Sequence, residues 1–337
     1  MRAAYFVGPG VLEVRDVPDP KIESPNDVIV EVEVAGLCGT DLHIVSTPQL
    51  HPATPGIVLG HEFVGKVVEV GSAVTRLRRG DRVIAGPNVF CGQCEACRRG
   101  QRNMCAAGVT LGITRDGGFA ELVRVPVHSL YPVPPELPAE SAVFAEPLSC
   151  VLNGMDRVRG HRHERAVVLG AGPIGLYFLR VLRHFGALDL IATEPLASRR
   201  VAAEKSGATL TLDPAAGDLV AEVIERTHGG AELVVDTTGF LLSDALAMTR
   251  RGGAVLIFGL DQTCKAPVST FDVARFEKSI VGCFVNNDHI PVSLDLIPHL
   301  RVHELVTHRF PLSQVEAALG SLRGGTSIKT VLHLGTP

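Results

Sequence analysis

The chain has 337 residues, of which 46% are hydrophobic, so it is long and apolar enough to build two hydrophobic cores. A net charge of −4 and an aromatic content of 5% offer neither a basic surface nor stacking side chains for nucleic acid. No apolar stretch approaches the roughly twenty residues of a membrane helix, and the first residues lack the pattern of a signal peptide. We therefore expect a cytoplasmic protein with a small-molecule partner and with neither nucleic acid nor membrane as a partner.

From residue 1 to about 130, short runs rich in β-branched residues alternate with glycine and proline turns. The runs 28–34 and 63–70 are two examples, and the pattern predicts a module built of β-strands. The segment 131–138 carries four prolines and separates this module from the helix-compatible stretch 139–152. We therefore place a connection between two parts of the chain at this proline-rich segment.

Two turns of the β-rich module carry residues that can bind a metal. The first reads Cys38-Gly39-Thr40-Asp41-Leu42-His43 and the second reads Gly60-His61-Glu62, while Glu146 stands just before the second half of the chain. One thiolate, one imidazole and one carboxylate would leave a zinc position open, as a catalytic zinc requires. Each residue alone is more often a packed thiol or an ordinary polar contact, so the interpretation depends on their appearing together with the two motifs that follow.

Four cysteines share one short stretch with the spacing C-x2-C-x2-C-x7-C, namely Cys91, Cys94, Cys97 and Cys105. This spacing favours a closed tetrahedral thiolate cage for zinc, which holds a loop and does no chemistry. The alternatives are an iron–sulfur cluster, whose ferredoxin run needs a shorter last gap followed by proline, and a disulfide framework. Eight cysteines with half of them in this cluster fit a reducing compartment better than a disulfide scaffold.

Beyond residue 165, strands and helices alternate in a pattern typical of a parallel sheet. The strand 167–169 is followed by Gly170-Ala171-Gly172-Pro173-Ile174-Gly175, a G-x-G-x-x-G pattern. Pro173 suits the first turn of a helix, whose apolar face continues through Phe178 and Val181, and Gly186 can end that helix. This context turns a weak glycine pattern into a prediction of a dinucleotide-binding turn.

The strand 188–193 ends in Glu194, at the distance where an acidic residue accepts hydrogen bonds from the adenosine ribose. The phosphate of NADP would meet a like charge there, so NAD is favoured over NADP. Arg199 and Arg200 are the counter-argument, because an arginine close by can bind a 2′-phosphate. Two later runs, 233–239 and 253–259, are predicted buried strands that end in glycine where the chain passes close to the nucleotide.

Together these motifs resemble the zinc-dependent medium-chain alcohol dehydrogenases, closest to the sorbitol and threonine dehydrogenase branch. The resemblance covers essentially the whole chain and includes Glu146-Pro147-Leu148 and the ending 306–312 with Ile328-Lys329. It implies an α/β protein with two domains. A GroES-like β-rich catalytic domain would comprise residues 1–149 and 285–337. A Rossmann domain, a doubly wound parallel sheet, would comprise residues 150–284.

The resemblance also implies roles for individual residues. Thr40 would take the proton of the alcohol and pass it through the cofactor ribose toward His43, while Asp41 would orient His61. Lys329 would meet the cofactor pyrophosphate. The carboxylate on the catalytic zinc would be Glu62 or Glu146, a choice that the sequence leaves open, and the cofactors would be two zinc ions per chain and NAD. Cofactor contacts are expected from this set: Gly170, Gly172, Pro173, Ile174, Gly175, Glu194, Arg199 and Lys329.

The predicted function is oxidation of a polar secondary alcohol, such as a polyol, cyclitol, sugar or amino alcohol, by reversible hydride transfer to NAD. Two alternatives remain: a zinc-free quinone or enone reductase of the same superfamily, and a noncatalytic nucleotide-binding protein. By analogy with the family we expect a homo-oligomer, a tetramer or a dimer.

Overall fold

The computed structural model describes residues 1–335, which divide into two compact units. The first unit comprises Met1–Ser149 together with the chain from Asn286 onward, and the second unit comprises Cys150–Val285. Within residues 1–335, no helix combines the length and the apolar character that crossing a bilayer would require.

The first unit is built mainly of strands before the chain leaves it. In chain order these are β1 (Arg2–Gly8), β2 (Val11–Asp16), β3 (Asp27–Gly36), β4 (Ile57–Val58), β5 (Glu62–Val70), β6 (Arg82–Ala85), β7 (Asn88–Val89), β8 (Val109–Thr110), β9 (Leu122–Pro126) and β10 (Leu130–Pro132). Its short helices are α1 (Gly39–Ile44), α2 (Glu95–Arg98) and α3 (Ala139–Ala142), and α4 (Ala145–Arg157) runs on into the second unit.

The second unit alternates strands and helices without exception. The order is β11 (Arg165–Leu169), α5 (Pro173–His184), β12 (Asp189–Thr193), α6 (Ala197–Lys205), β13 (Leu210–Leu212), α7 (Leu219–Arg226), β14 (Ala231–Asp236), α8 (Leu242–Met248), β15 (Thr249–Ile257), α9 (Thr270–Arg275) and β16 (Ser279–Gly282). All six strands pair in parallel, in the order β13-β12-β11-β14-β15-β16. This is a doubly wound sheet, whose order reverses at β11, the strand that precedes the glycine motif.

The chain then returns to the first unit through α10 (Ile290–Leu300), β17 (Val306–Pro311), α11 (Val315–Arg323) and β18 (Lys329–His333). Both strands join a seven-stranded sheet in the order β10-β6-β5-β3-β18-β17, with β9 also paired to β3. A three-stranded sheet β2-β1-β4 and the two-stranded sheet β7-β8 complete the unit. The central position of β3 matters for the site, because its carboxyl end leads directly to Cys38.

The two units have separate apolar cores. In the first unit, buried side chains such as Phe6, Phe63 and Phe119 pack between its sheets and against α11. In the second unit, Val167, Val234 and other β-branched residues of the parallel sheet form the centre of the core. The near-continuous burial of β14 is typical of a parallel strand that is covered on both faces.

One expectation about elements differs from the structure. The helix-compatible stretch 139–152 is broken at Val143 and Phe144 into α3 and α4. The tail beyond residue 286 combines α10 and α11 with two strands, β17 and β18, of the large sheet. Burial in the sheet, which no local pattern reports, decides the conformation of these short apolar segments.

Candidate active site

The turn after β3 places a thiol at the start of a short helix. Cys38 precedes α1, and its backbone N–H donates to Asp41 Oδ2 at 2.9 Å. This capping interaction satisfies a backbone donor and fixes the conformation of the turn. The Cys38 thiol donates to Thr40 Oγ1 at 3.6 Å, so the hydroxyl group lies directly beside the sulfur.

The pairing of β3 with β5 brings two further ligand candidates to the same place. Gly36 lies opposite Glu62 in this register, and His61 immediately precedes β5. Both side chains are buried. The ligand atoms of Cys38, His61 and Glu62 lie within 4.8 Å of one another, which one metal ion can bridge. We call this group the open site, because three protein ligands leave a tetrahedral position for water or substrate.

The His61 ring also faces the carboxylate of Asp41, with 3.5 Å between Nδ1 and Oδ1. Burial alone lowers the pKa of His61, but Asp41 and Cys38 outweigh it and raise the pKa well above its usual value. A carboxylate behind an imidazole holds the ring's orientation when the other nitrogen binds a metal. Asp41 lies beside the ring that it is predicted to orient, and the orienting role itself stays a prediction.

Glu146 lies at the start of α4 and is buried, but it does not belong to the three-residue group within 4.8 Å. Burial and, next, the charge of Glu62 raise the pKa of Glu146 to about 7. The electrostatic influence of Glu62 and His61 on this carboxyl group shows that it belongs to the same buried cluster. Of the two carboxylates, the structure brings Glu62 together with Cys38 and His61.

Lys329, at the start of β18, forms an ion pair with Glu62 Oε2 and also donates to Leu37 O at 3.3 Å. Its side chain is only 3% exposed. A Cβ atom at Gly36 would approach both Glu62 Oε2 and Lys329 Nζ closer than 3.0 Å, so only glycine leaves room for this pair. The predicted contact of Lys329 with the cofactor stays a prediction, and the structure adds a partner that sequence reasoning missed.

His43 lies one turn after Thr40 on α1 and is exposed. Partial desolvation and then the neighbouring His51 lower the pKa of His43 below its usual value. Residues three apart share one face of a helix, so Thr40 and His43 are on the same side of α1. The structure therefore offers a hydroxyl group beside the metal ligands and an imidazole at the surface.

The four cysteines of the second motif converge as predicted from their spacing. Their sulfur atoms lie within 4.8 Å of one another, and the measured separations are 3.5 Å for Cys91–Cys105, 3.9 Å for Cys94–Cys105 and 4.0 Å for Cys91–Cys97. Zinc–sulfur bonds of about 2.3 Å give a tetrahedron with edges of about 3.8 Å. The cysteine cage therefore fits zinc with all four positions occupied by protein.

Backbone N–H groups around the cage favour thiolates. Those of Cys97 and then Ala106 lower the pKa of Cys94 to about 6, and the N–H of Cys91 donates to Cys105 Sγ at 3.4 Å. Desolvation instead raises the pKa of Cys97 to about 12. Without a metal, the Cys97 thiol therefore keeps its proton. Zinc binding would displace this proton, because metal ligands must be deprotonated.

In the second unit, the glycine motif forms a tight turn between β11 and α5. Gly170 has a φ of +92°, and a Cβ at Gly175 would approach Gly170 O closer than 3.0 Å. A Cβ at Gly172, in contrast, would meet open space. The first turn of α5 begins here with Pro173 and leaves backbone N–H groups such as that of Ile174 without intrahelical acceptors. This bare helix N-terminus fits a pyrophosphate.

Glu194 follows β12 and is buried beside this turn. Its Oε2 accepts from Ala171 N at 3.0 Å and its Oε1 from Leu196 N at 3.1 Å, which leaves each oxygen a second lone pair for a ribose hydroxyl. Arg200 donates to Glu194 O at 2.7 Å and pairs with Asp213, so it braces the loop. Arg199 is half-buried on the same helix.

Gly239 and Gly259 have a function that the sequence did not indicate. A Cβ at either position would approach the backbone of the other segment closer than 3.0 Å, and Gly239 has a φ of +86°. Asp236 Oδ1 accepts from Gly239 N at 3.0 Å and ties the turn down. These glycines allow two loops to cross at the carboxyl ends of β14 and β15, where nucleotides bind in such sheets.

Two family models match the chain: the alcohol dehydrogenase GroES-like domain over residues 24–135 and the zinc-binding dehydrogenase model over residues 173–298. L-threonine 3-dehydrogenase of Pyrococcus abyssi is 36% identical over 348 residues, covering 99% of this chain and 97% of the relative. Sorbitol dehydrogenase of Bacillus subtilis is 30% identical, covering 95% and 92%. A crystal structure from Sinorhizobium meliloti 1021 bound to NADP has a TM-score of 0.92 and 34% identity over 99% of each chain.

The chain therefore belongs to the zinc-dependent medium-chain alcohol dehydrogenase family, in its sorbitol- and threonine-dehydrogenase-like branch. Members of this family are oxidoreductases that act on CH–OH groups. The family and the fold class expected from the sequence, a GroES-like module with a Rossmann sheet, are confirmed.

Proposed function

We propose that the protein is a zinc- and NAD-dependent dehydrogenase that reversibly oxidises a polar secondary alcohol, a polyol, cyclitol, sugar or amino alcohol, to the ketone. The observation that carries the proposal is the convergence of the half-buried Cys38 with the buried His61 and Glu62, whose ligand atoms lie within 4.8 Å of one another. The substrates named for its relatives, sorbitol and threonine, are polar secondary alcohols and support the substrate class.

In this proposal each chain holds two zinc ions, one in the cysteine cage and one at the open site. At the open site Cys38, His61 and Glu62 are the ligands, and Glu146 is the adjacent carboxylate. Zinc at such a site supplies a Lewis acid that acidifies a bound hydroxyl group, and nicotinamide supplies the hydride acceptor. The burial of His61, Glu62 and Glu146 strengthens the electrostatic interactions among these side chains.

The proton of the substrate hydroxyl needs an acceptor of its own. Thr40 Oγ1, which lies 3.6 Å from the Cys38 sulfur, is the group proposed to take this proton while it releases its own. His43 lies on the same face of α1 and is exposed, so its imidazole can exchange a proton with solvent. Partial desolvation and then His51 lower the pKa of this imidazole. Asp41 keeps the His61 ring in its ligand orientation.

The second unit would bind the dinucleotide. The pyrophosphate is assigned to the N-terminal turn of α5, from Gly170 to Gly175. Lys329 is kept in the proposal as a further cation for the cofactor, on the family resemblance alone. The ribose hydroxyls are assigned to Glu194, whose negative charge favours NAD over NADP. Arg199 defines the NADP alternative, because it is the nearby cation not already used to brace the loop.

The expected location in the cytoplasm belongs to the proposal and is supported by the cysteine pattern, which fits a reducing compartment. The expected homo-oligomer, a tetramer or a dimer, also belongs to the proposal and rests on analogy with the family. It bears on the assay conditions, since an oligomer is studied best at a fixed and stated protein concentration.

The test is a screen of the purified, zinc-replete protein with polyols, sugars, cyclitols and amino alcohols, followed by the absorbance of NADH and, in a parallel arm, NADPH. We expect turnover with at least one polar secondary alcohol, a preference for NAD, two zinc ions per chain, and loss of turnover after chelation that added zinc restores.

The two alternatives give different results in the same experiment. A protein that reduces quinones or enones and keeps its activity after removal of the open-site metal would be a zinc-free reductase. A protein that binds NAD and holds one zinc, with no turnover of any alcohol, would be a noncatalytic nucleotide-binding protein.

A further inference from the structure

The residue before His61 has a backbone conformation that only glycine adopts readily. Gly60 has a φ of +94°, and a Cβ there would approach the Phe119 ring closer than 3.0 Å. The direction in which His61 and Glu62 leave this residue depends on the position of its peptide groups. Whatever holds the Gly60 backbone in place therefore also sets the position of two open-site ligands.

That support comes from the chain segment that leaves the cysteine cage. After Cys105 the chain forms β8, and Leu111 N donates to Pro87 O at 2.9 Å. A tight turn follows, in which Thr110 O accepts from Thr114 N at 2.9 Å. The segment 116–119 then runs alongside residues 58–60.

Four hydrogen bonds join these two segments. The Asp116 side chain accepts from Val58 N at 2.9 Å, Gly117 N donates to Val58 O at 2.9 Å, Gly118 N to Gly60 O at 2.7 Å and Phe119 N to Leu59 O at 2.8 Å. Three of the four are purely backbone interactions, so side-chain motion does not loosen them.

Glycines allow the segments 58–60 and 116–119 to lie this close together. A Cβ at Gly112 or at Gly117 would lie closer than 3.0 Å to the backbone of Gly60, and one at Gly118 would lie equally close to Phe63. We call Gly60, Gly112, Gly117 and Gly118 the glycine cluster. All four are buried, and the first three meet backbone to backbone with no side chain between them.

We propose that the glycine cluster positions His61 and Glu62 for metal binding and ties the open site to the segment that leaves the cysteine cage. Its members are positioning residues, since none of them offers a ligand atom. These backbones are in close contact, so a shift of the segment that contains Gly112 and Gly117 would also shift Gly60. The inference rests on the proposed function, in that it assumes a metal at the open site.

The test is Gly117→Ala, which places a methyl group against Gly60 O and Gly112 Cα. We expect the cage zinc to remain and the open-site zinc to bind about tenfold more weakly or worse, the range found when groups that orient metal ligands are changed. The zinc stoichiometry shows whether the cage zinc remains, and titration against a competing chelator measures the affinity of the open site for zinc. The absorption spectrum of the cobalt-substituted open site should change, and kcat should fall while the KM for NAD stays constant.

Gly71→Ala is the matched control. Its Cβ would also lie closer than 3.0 Å to a backbone carbonyl oxygen, that of Pro25, and Gly71 likewise lacks a left-handed φ. It lies just beyond the far end of β5, away from the ligands. A purely structural effect would lower the melting temperature of both variants and leave the affinity for the second zinc unchanged in both, and this result would overturn the inference.

A gentler variant covers the case in which Gly117→Ala does not fold. Asp116 is exposed and contributes one acceptor to Val58 N. Asp116→Ala should weaken the open-site zinc by a few-fold, and Asp116→Asn, which keeps the acceptor, should restore it. Equal affinity for the second zinc in Asp116→Ala and the wild type would refute the inference.

Wild-type protein with only the cage zinc would refute the proposed function and this inference together. Wild-type and variant proteins that bind two zinc ions equally well would refute the inference alone.

Discussion

The cysteine cage and the open site are the two proposed metal centres of the first unit, and they are built in opposite ways. The cage draws four identical ligands from residues 91–105, and backbone N–H groups of the same loop stabilise its thiolates. The open site draws three different ligands from two turns that only the pairing of β3 with β5 brings together. One is closed by its ligands, whereas the other keeps a position free.

Because the two centres are built differently, we expect the loss of a ligand to have different effects on stability and on activity. The cage is local, so losing it should loosen its own lobe and lower stability. The open site lies in a sheet that is already held by a large apolar core, so losing a ligand there should remove activity and leave the fold nearly intact. A further contrast is that Glu62 forms an ion pair with Lys329, whereas the cage sulfur atoms accept hydrogen bonds from backbone N–H groups and lie beside one another.

The largest effect is expected for His61→Ala. Removing this ligand should lower kcat by about a thousandfold or more, because a Lewis acid contributes several kcal/mol to transition-state stabilisation. The variant should hold one zinc per chain and melt within a few degrees of the wild type. His303→Ala, an exposed histidine in the same unit, is the control and should keep two zinc ions and full turnover. Retained turnover in His61→Ala would remove the open site from the mechanism.

Cys94→Ser tests whether the cysteine cage contributes to stability. The serine oxygen is a poor zinc ligand, so the cage should lose its metal and the melting temperature should fall by roughly 5 °C or more. Zinc analysis should find the open-site ion still present, and calorimetry measures the melting temperature. Cys264→Ser, outside the cage, should change neither quantity. An unchanged melting temperature with the cage zinc lost would show that the closed site is not needed for stability.

A smaller effect is expected in the second unit, where Glu194→Gln removes the charge that we propose favours NAD. Hydrogen bonds to a charged group are worth about 1.5–3 kcal/mol, so the ratio of kcat/KM for NAD to that for NADP should fall by about tenfold or more. Glu204→Gln, which alters a carboxylate on the surface of α6, should leave the ratio constant. An unchanged ratio in Glu194→Gln would assign cofactor choice to Arg199 or to another residue.

The two metal centres also differ in how far the sequence alone predicts them. The cage can be predicted from the sequence because all its ligands fall within one loop. The spacing of the cysteines along the chain then limits how far apart their sulfur atoms can lie. The open-site residues could be named only as a set, because their proximity depends on the register in which Gly36 meets Glu62. That register is a property of the folded sheet.

The ion pair between Glu62 and Lys329 could not be predicted at all, since it joins residues 267 positions apart. It exists because β18 inserts beside β3 in the large sheet. The glycine cluster is similar: each glycine is consistent with an ordinary turn, and only the approach of two backbones shows why no side chain fits. Sequence patterns identify the chemistry, whereas contacts between distant segments determine its position.

The smallest effect is expected for an ion cluster that belongs to neither metal centre. Arg309, the main influence, and His333 lower the pKa of Glu140 although partial burial raises it. A lowered folded-state pKa means stability that is present above the pKa of the unfolded chain and is lost as the pH falls through the folded-state pKa. Because these groups are partly exposed, Glu140→Gln should cost less than about 1 kcal/mol at neutral pH and should change neither zinc site. Urea unfolding at neutral and acidic pH measures the difference, which should shrink on acidification. A larger loss of unfolding free energy, or a loss of zinc, would mean that the metal centres depend on surface charges remote from their ligands. That result would contradict the contrast between a local cage and an open site supported by the sheet.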